Sequence, residues 1–166
     1  MAQNSAWLLN WFVRTNWRCD TEKTISMKSE SKNIIAVRRL YEARGNPDIV
    51  KPLLAPDVRW EVVEGFPYSG VYQGLNGVSD FFTRLFGEFE DWRTEPAEIF
   101  EAGDRVIALG FYSARTKATG KTFKARFAHV WTVRDGVIVR LQQCADTVQI
   151  AKASRQDFSN EQISVN

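Results

Sequence analysis

At 166 residues the chain has the length of one compact domain and is too short for two. Its 22 Lys and Arg against 20 Asp and Glu leave a net charge of only +2, which argues against the clustered cationic surface that nucleic-acid binding needs. Cys19 and Cys144 give no disulfide framework, and a single histidine without HExxH or CxxC spacing gives no zinc site, so neither metal nor cofactor is expected.

Residues 1–27 contain one apolar run, Ala6 to Val13, too short to span a bilayer and without the basic flank and cleavage site of a secretory signal. They are expected to form an extension outside the fold, with Met27 as the natural start. The lack of targeting and membrane-spanning signals points to the cytoplasm. Ile34, Val37, Leu40 and Tyr41 then fall on one face of a helix, which Gly45, Asn46 and Pro47 stop. Pro47 opens a shorter helix carrying Ile49, Val50, Leu53 and Leu54. Asp57 to Val63 reads as a strand, and a loop containing Gly65, Pro67, Gly70 and Gly74 follows. Leu75, Val78, Phe81, Phe82, Leu85, Phe86 and Phe89 make the clearest amphipathic helix, its aromatic stripe read as core packing. From Trp92 the apolar pattern changes to period two, with turns at Gly103-Asp104, Thr119-Gly120 and Asp135-Gly136. Helices ahead of about four antiparallel strands predict an α+β fold. The domain is expected to span 28–150, with a polar tail over 151–166.

Common catalytic motifs are missing. Gly120-Lys121-Thr122 lacks the glycine five residues earlier, where Arg115 stands, and precedes a strand pattern, so it is a turn rather than a phosphate loop. No GxSxG elbow occurs. The chemistry is left to a few polar groups among apolar neighbours.

The last hairpin sets their geometry. A two-residue type I′ turn at Asp135-Gly136 opposes Arg134 to Val137, and then His129 to Gln142, Phe127 to Cys144 and Ala125 to Asp146. His129 and Asp146 would then share a face with Trp131 and Val133, on the order of 13 Å apart along a flat sheet. A bulged turn would instead move His129 to the face of Leu141 and Gln143. The two-residue turn is the expected one. Asp146 reads either as a carboxylate in an apolar pocket, able to take a proton from carbon beside a carbonyl, or as a solvated strand-end residue. His129 reads as an acid/base group or as a satisfied core histidine. Tyr41 could donate its hydroxyl into the same space.

The run Phe127-Ala128-His129-Val130-Trp131-Thr132-Val133-Arg134-Asp135-Gly136-Val137-Ile138, closing at Asp146-Thr147, resembles the last hairpin of the nuclear-transport-factor-2-like superfamily. It is similar to the SnoaL-like polyketide cyclase and ketosteroid isomerase-like branch. Leu53-Leu54-Ala55-Pro56-Asp57-Val58-Arg59-Trp60, Gly74 and Gly103-Asp104-Arg105-Val106 match as well, so the resemblance covers about 30–150. It implies a cone-shaped, curved mixed or antiparallel sheet wrapped around the N-terminal helices, a cystatin-like α+β roll. It also implies an apolar cavity for a small hydrophobic ligand and a homodimer joined through the sheet's outer face. Trp60, Phe82, Tyr112, Phe127 and Trp131 are the expected pocket wall. Asp146 matches the acid/base aspartate of cyclase relatives and His129 lies on the strand of their assisting histidine. The isomerase's base falls near Val62, which cannot move a proton, and its tyrosine near Leu40, one residue from Tyr41. Three functions stay open on this basis. The leading one is a cofactor-independent enzyme acting on a small hydrophobic carbonyl compound through Asp146, His129 and Tyr41. The others are a hydrolase or dehydratase in the same cavity, and a noncatalytic ligand-binding or adaptor domain.

Overall fold

Ser31 starts the first helix by accepting a hydrogen bond from the Ile34 N–H, and the helix α1 runs Lys32–Glu42. On the face that the sequence periodicity sets, Val37 is buried and Ile34, Leu40 and Tyr41 are half-buried, and Ala36 is buried beside them. The structure, a computed structural model, describes residues 30–155, so the expected N-terminal extension lies outside the described residues. Pro47 opens the short α2 (Pro47–Val50), capped by Asn46, and a single 3-10 turn over Lys51–Leu53 leads into β1 (Leu54–Val62). The rest of the order is β2 (Gly70–Gln73), α3 (Gly74–Glu88), β3 (Phe89–Ala102), β4 (Arg105–Thr116), β5 (Thr122–Arg134), β6 (Val137–Ala145) and α4 (Thr147–Ser154).

The six strands form one open mixed sheet in the order β2-β1-β6-β5-β4-β3. All neighbours are antiparallel except β1 and β6, which run parallel. The expected α+β fold is present, with a mixed sheet in which only the β1–β6 pair is parallel. Several pieces differ from the sequence reading. The second helix ends at Val50 and Leu54 already opens β1, ahead of the expected strand start at Asp57, while Phe89 opens β3 instead of closing α3. The loop after β1 contains β2, a four-residue edge strand without an alternating apolar face, so no period-two signal marks it. The polar tail expected from 151 begins later, because α4 continues to Ser154 and buries Ile150 and Ala153.

In β4 and β5, alternate residues point to the helix-covered face: Val106, Ala108, Gly110, Tyr112 and Ala114 on one, and Phe123, Ala125, Phe127, His129 and Trp131 on the other. Long strands of this kind must bend to wrap a helix layer, and bulges in β3 between Glu90 and Arg93 and between Pro96 and Glu98 supply the bend. Gly110 sits against the second bulge. A Cβ there would lie 2.8 Å from the Phe127 ring edge and 2.8 Å from the Pro96 backbone, and would overlap the Glu95 carbonyl. Gly110→Ala is therefore expected to cost about 1–3 kcal/mol through overpacking, seen as a lower urea midpoint with unchanged slope.

The last hairpin decides the site. Asp135 and Gly136 have φ of 50° and 83°, as a type I′ turn needs, so the expected turn forms. Arg134 pairs with Val137 and Val133 with Ile138. Thr132 then pairs with Arg140, leaving Val139 as one extra residue in β6. From there the register is one residue away from the expectation. His129 lies opposite Gln143 instead of Gln142, and Phe127 opposite Ala145 instead of Cys144. A one-residue slip exchanges the two faces of a strand. Thus Leu141 and Gln143 are buried with Trp131 and His129, while Arg140, Gln142 and Cys144 turn outward.

Candidate functional site

Between the sheet and α1, α2 and α3 lies a cavity of about 940 Å³. Trp60 from β1, Phe81, Phe82 and Leu85 from α3, Trp92 from β3 and Leu141 from β6 give it an apolar wall. The aromatic stripe of α3 thus packs the core and walls the cavity at once. Glu42, Arg44, Thr83 and the 44 % exposed Phe86 line it at its outer edge, marking the mouth between the end of α1 and the middle of α3. Aromatic contacts hold the wall in place, with Trp60 edge-on to both Phe82 (5.6 Å) and Trp131 (5.4 Å).

At the sheet side of this apolar space is one polar cluster. Tyr41 Oη lies 2.8 Å from His129 Nδ1, and Tyr112 Oη is hydrogen-bonded to His129 Nε2. Trp131 Nε1–H donates to Tyr41 Oη at 3.0 Å, and the Gln143 amide N–H donates to Tyr112 Oη at 2.8 Å. The Val63 N–H in turn donates to Gln143 Oε1 at 3.4 Å, which fixes the amide's orientation. Tyr41, Tyr112, His129, Trp131 and Gln143 all line the cavity.

Burial keeps the three titratable members neutral. It pushes the His129 pKa down to about 3 and both tyrosine hydroxyls upward, although Trp131 and Gln143 oppose the rise by donating to them. A neutral imidazole has one N–H and one bare nitrogen. Two hydroxyls and one imidazole therefore bring three hydrogens, and the two contacts within the trio use two. One tyrosyl O–H is left over, and the cavity is the open space both hydroxyls share. Its oxygen already accepts two hydrogen bonds, which strengthens it as a donor.

The structure brings together His129, Tyr41, Tyr112, Trp60, Phe82 and Trp131 as cavity-lining residues. Two expected members are elsewhere. Phe127 is buried at 4 % exposure but does not line the cavity; its ring stacks on His129 at 4.2 Å and packs at a tilt against Tyr112 at 4.7 Å. Asp146 is exposed, its N–H bonded to the Arg126 carbonyl at the start of α4. It does not share the face of His129, and the extra residue at Val139 is the reason. Arg140 faces outward and pairs with Glu61 at 2.7 Å. Gln143 joins the cluster on the face that the bulged alternative gave His129, although the extra residue is Val139 within β6 and not a residue of the turn. Among the described residues no three His, Cys, Asp or Glu side chains cluster as metal ligands, and no helix is long and apolar enough to cross a membrane.

The model of the SnoaL-like domain matches residues 37–141, which hold Tyr41, Tyr112, His129 and every cavity-lining residue except Gln143. This chain is a SnoaL-like domain protein. Solved structures agree. An NTF2-like protein from Burkholderia thailandensis is 34% identical, with a TM-score of 0.72 over 76% of this chain and 99% of that one. TerC, co-crystallised with polyporic acid, is 30% identical with a TM-score of 0.67, covering 74% of this chain and 98% of its own. A putative SnoaL-like polyketide cyclase from Jannaschia shares the fold at 17% identity and a TM-score of 0.64, over 74% and 90% of the two chains. Comparison with curated proteins gives no match. A hypothetical protein with a ketosteroid isomerase-like fold from Catenulispora acidiphila, 19% identical with a TM-score of 0.64 over 72% and 91% of the two chains, shares the fold as well, and one architecture of this kind carries many chemistries.

Proposed function

We propose that this SnoaL-like protein binds a small, largely apolar carbonyl compound in the cavity and promotes proton transfer at its carbonyl group, as an isomerase or cyclase would. The observation that carries this reading is the surplus tyrosyl O–H against the ring-lined wall of a cavity whose charged lining residues include Glu42, Arg44, Lys51, Arg93 and Glu95. A donor held in a site of low dielectric stabilises the negative charge that grows on a carbonyl oxygen during enolisation. His129 acts as a neutral partner that orients the tyrosines, since its depressed pKa makes it a poor proton acceptor. In this reading bulk water reached through the mouth takes the carbon-bound proton and returns one to carbon when the enol collapses. That TerC was co-crystallised with polyporic acid supports a small organic ligand for this fold.

The test uses 1-tetralone, an enolisable aryl ketone. Its binding is followed by quenching of the cavity tryptophans, and exchange of its α-protons by NMR in D₂O. Wild type is expected to bind it and to accelerate exchange. Tyr41→Phe combined with Tyr112→Phe is expected to lower the accelerated rate about 100-fold, the usual effect of losing an oxyanion donor. Asp146→Asn is expected to leave both measurements within about twofold, because an exposed surface carboxylate touches none of the cluster. Binding without accelerated exchange would reject the enzymatic part and leave a ligand-binding domain.

The outer side of the sheet carries half-buried Ile107, Leu109, Phe111, Ala128 and Val130. We extend the proposal to a second copy of the chain covering this strip, which predicts a mass of twice 19.0 kDa by light scattering.

A further inference from the structure

The polar cluster is symmetric about the imidazole in a way that specifies its ligand further. Tyr41 Oη receives one hydrogen bond from outside the trio, from Trp131, and Tyr112 Oη receives one from Gln143. Each phenolic oxygen has one hydrogen to give and two lone pairs to fill. With the ring proton on Nε2, the Tyr41 O–H donates to Nδ1 and Tyr41 keeps one open lone pair. Tyr112 then accepts from Nε2–H and from Gln143, and its own O–H is free. With the proton on Nδ1 the roles exchange. Tyr41 becomes the free donor, and Tyr112 keeps the open lone pair.

We propose that the cavity selects a compound carrying both a hydroxyl and a carbonyl oxygen, such as a hydroxyketone or an enolised diketone, and that the His129 tautomer decides which tyrosine holds which oxygen. In either tautomer the cluster offers one donor and one acceptor, on opposite sides of the imidazole. A ligand with only a carbonyl leaves the acceptor unused, and one with a hydroxyl and a carbonyl satisfies both. The two states are related by proton transfers that balance within the site. The ligand O–H passes its proton to Tyr41 Oη, and the Tyr41 hydroxyl proton moves to Nδ1. Nε2–H goes to Tyr112 Oη, and the Tyr112 hydroxyl proton goes to the ligand carbonyl oxygen. One O–H or N–H bond forms for each that breaks. An enolised diketone then has its hydroxyl and carbonyl exchanged, and no outside acid or base takes part.

This inference rests on the carbonyl-ligand reading above, and the experiment separates the two. His129 is the only histidine in the chain, so [¹⁵N]histidine labelling reports this ring alone. Protonated and bare ring nitrogens resonate far apart, and their intensities give the tautomer ratio. The probes are 1-tetralone and 6-hydroxy-1-tetralone. The hydroxyl compound is expected to bind about 5- to 10-fold more tightly, the worth of one added hydrogen bond, and to change the tautomer ratio from that of the free protein. In Tyr41→Phe that preference is expected to vanish while 1-tetralone still binds. If 1-tetralone binds to wild type but the hydroxyl brings no preference and the ratio stays fixed, the donor–acceptor reading is overturned and the carbonyl reading survives. If neither probe binds, both fall.

Discussion

Trp131→Ala is expected to remove about 3–5 kcal/mol of folding stability, the usual range for deleting a fully buried tryptophan. Trp131 is only 1 % exposed, and three rings lean on it: Trp60 at 5.4 Å, His129 at 5.4 Å and Tyr41 at 6.0 Å. Its removal opens a void that joins the cavity, so neighbouring side chains cannot close it without moving the pocket wall. It also withdraws the N–H that fills one Tyr41 lone pair. Trp131→Phe separates the two losses, keeping most of the packing and costing about 1–2 kcal/mol from the lost donor and the smaller ring. Urea titrations of the three proteins check this. Equal midpoints for Trp131→Phe and Trp131→Ala would show that the indole N–H, and not the packing, carries the stability.

His129 is expected to make the protein acid-sensitive. Its folded pKa, near 3, lies below the unfolded value of about 6.5, so the unfolded chain binds the proton first as pH falls. Stability from keeping this ring neutral and buried is fully present above about pH 6.5 and is lost between there and pH 3, where the unfolded state holds the extra proton. The loss is on the order of 5 kcal/mol, which is comparable with the whole stability of many domains. Unfolding should therefore begin while His129 in the native state is still neutral. Glu61, whose carboxyl Arg140 holds below the usual carboxylate range, adds its own loss at lower pH. The control is His129→Gln, which cannot take up the proton. Its stability at pH 7 falls, because a hydrogen-bonded buried ring is gone, while its stability changes far less between pH 6.5 and pH 4 than that of wild type. Parallel pH profiles for the two proteins would assign the acid transition to other groups.

Much of this molecule follows from local chemistry. Periodicity at Ile34, Val37 and Leu40 and at Val78, Phe81 and Leu85 is enough to define α1 and α3, because an apolar stripe at helical spacing has no other way to leave water. Asp135-Gly136 can be read directly as a turn, since only such residues adopt two successive positive φ angles at low cost. The resemblance that leads to the SnoaL-like family rests on the run Phe127–Ile138 around that turn, on Leu53–Trp60 and on Gly103–Val106. Tyr41 and His129 are recognisable as polar groups on apolar faces. What the tertiary structure decided is which of these groups meet. The extra residue at Val139 comes from the bend of a long hairpin around a helix layer, and nothing in Val137–Ala145 marks it, because Val139 has the same residue type as Val137. That single residue turns Asp146 outward and Gln143 inward, and so replaces a carboxylate–imidazole pair with a neutral cluster. Tyr112 and Tyr41 stand 71 residues apart in sequence and close on the two nitrogens of one ring. Only the curvature of the sheet and the seating of α1 across it bring them there, because hydrogen bonds between distant segments have no local signature in the chain.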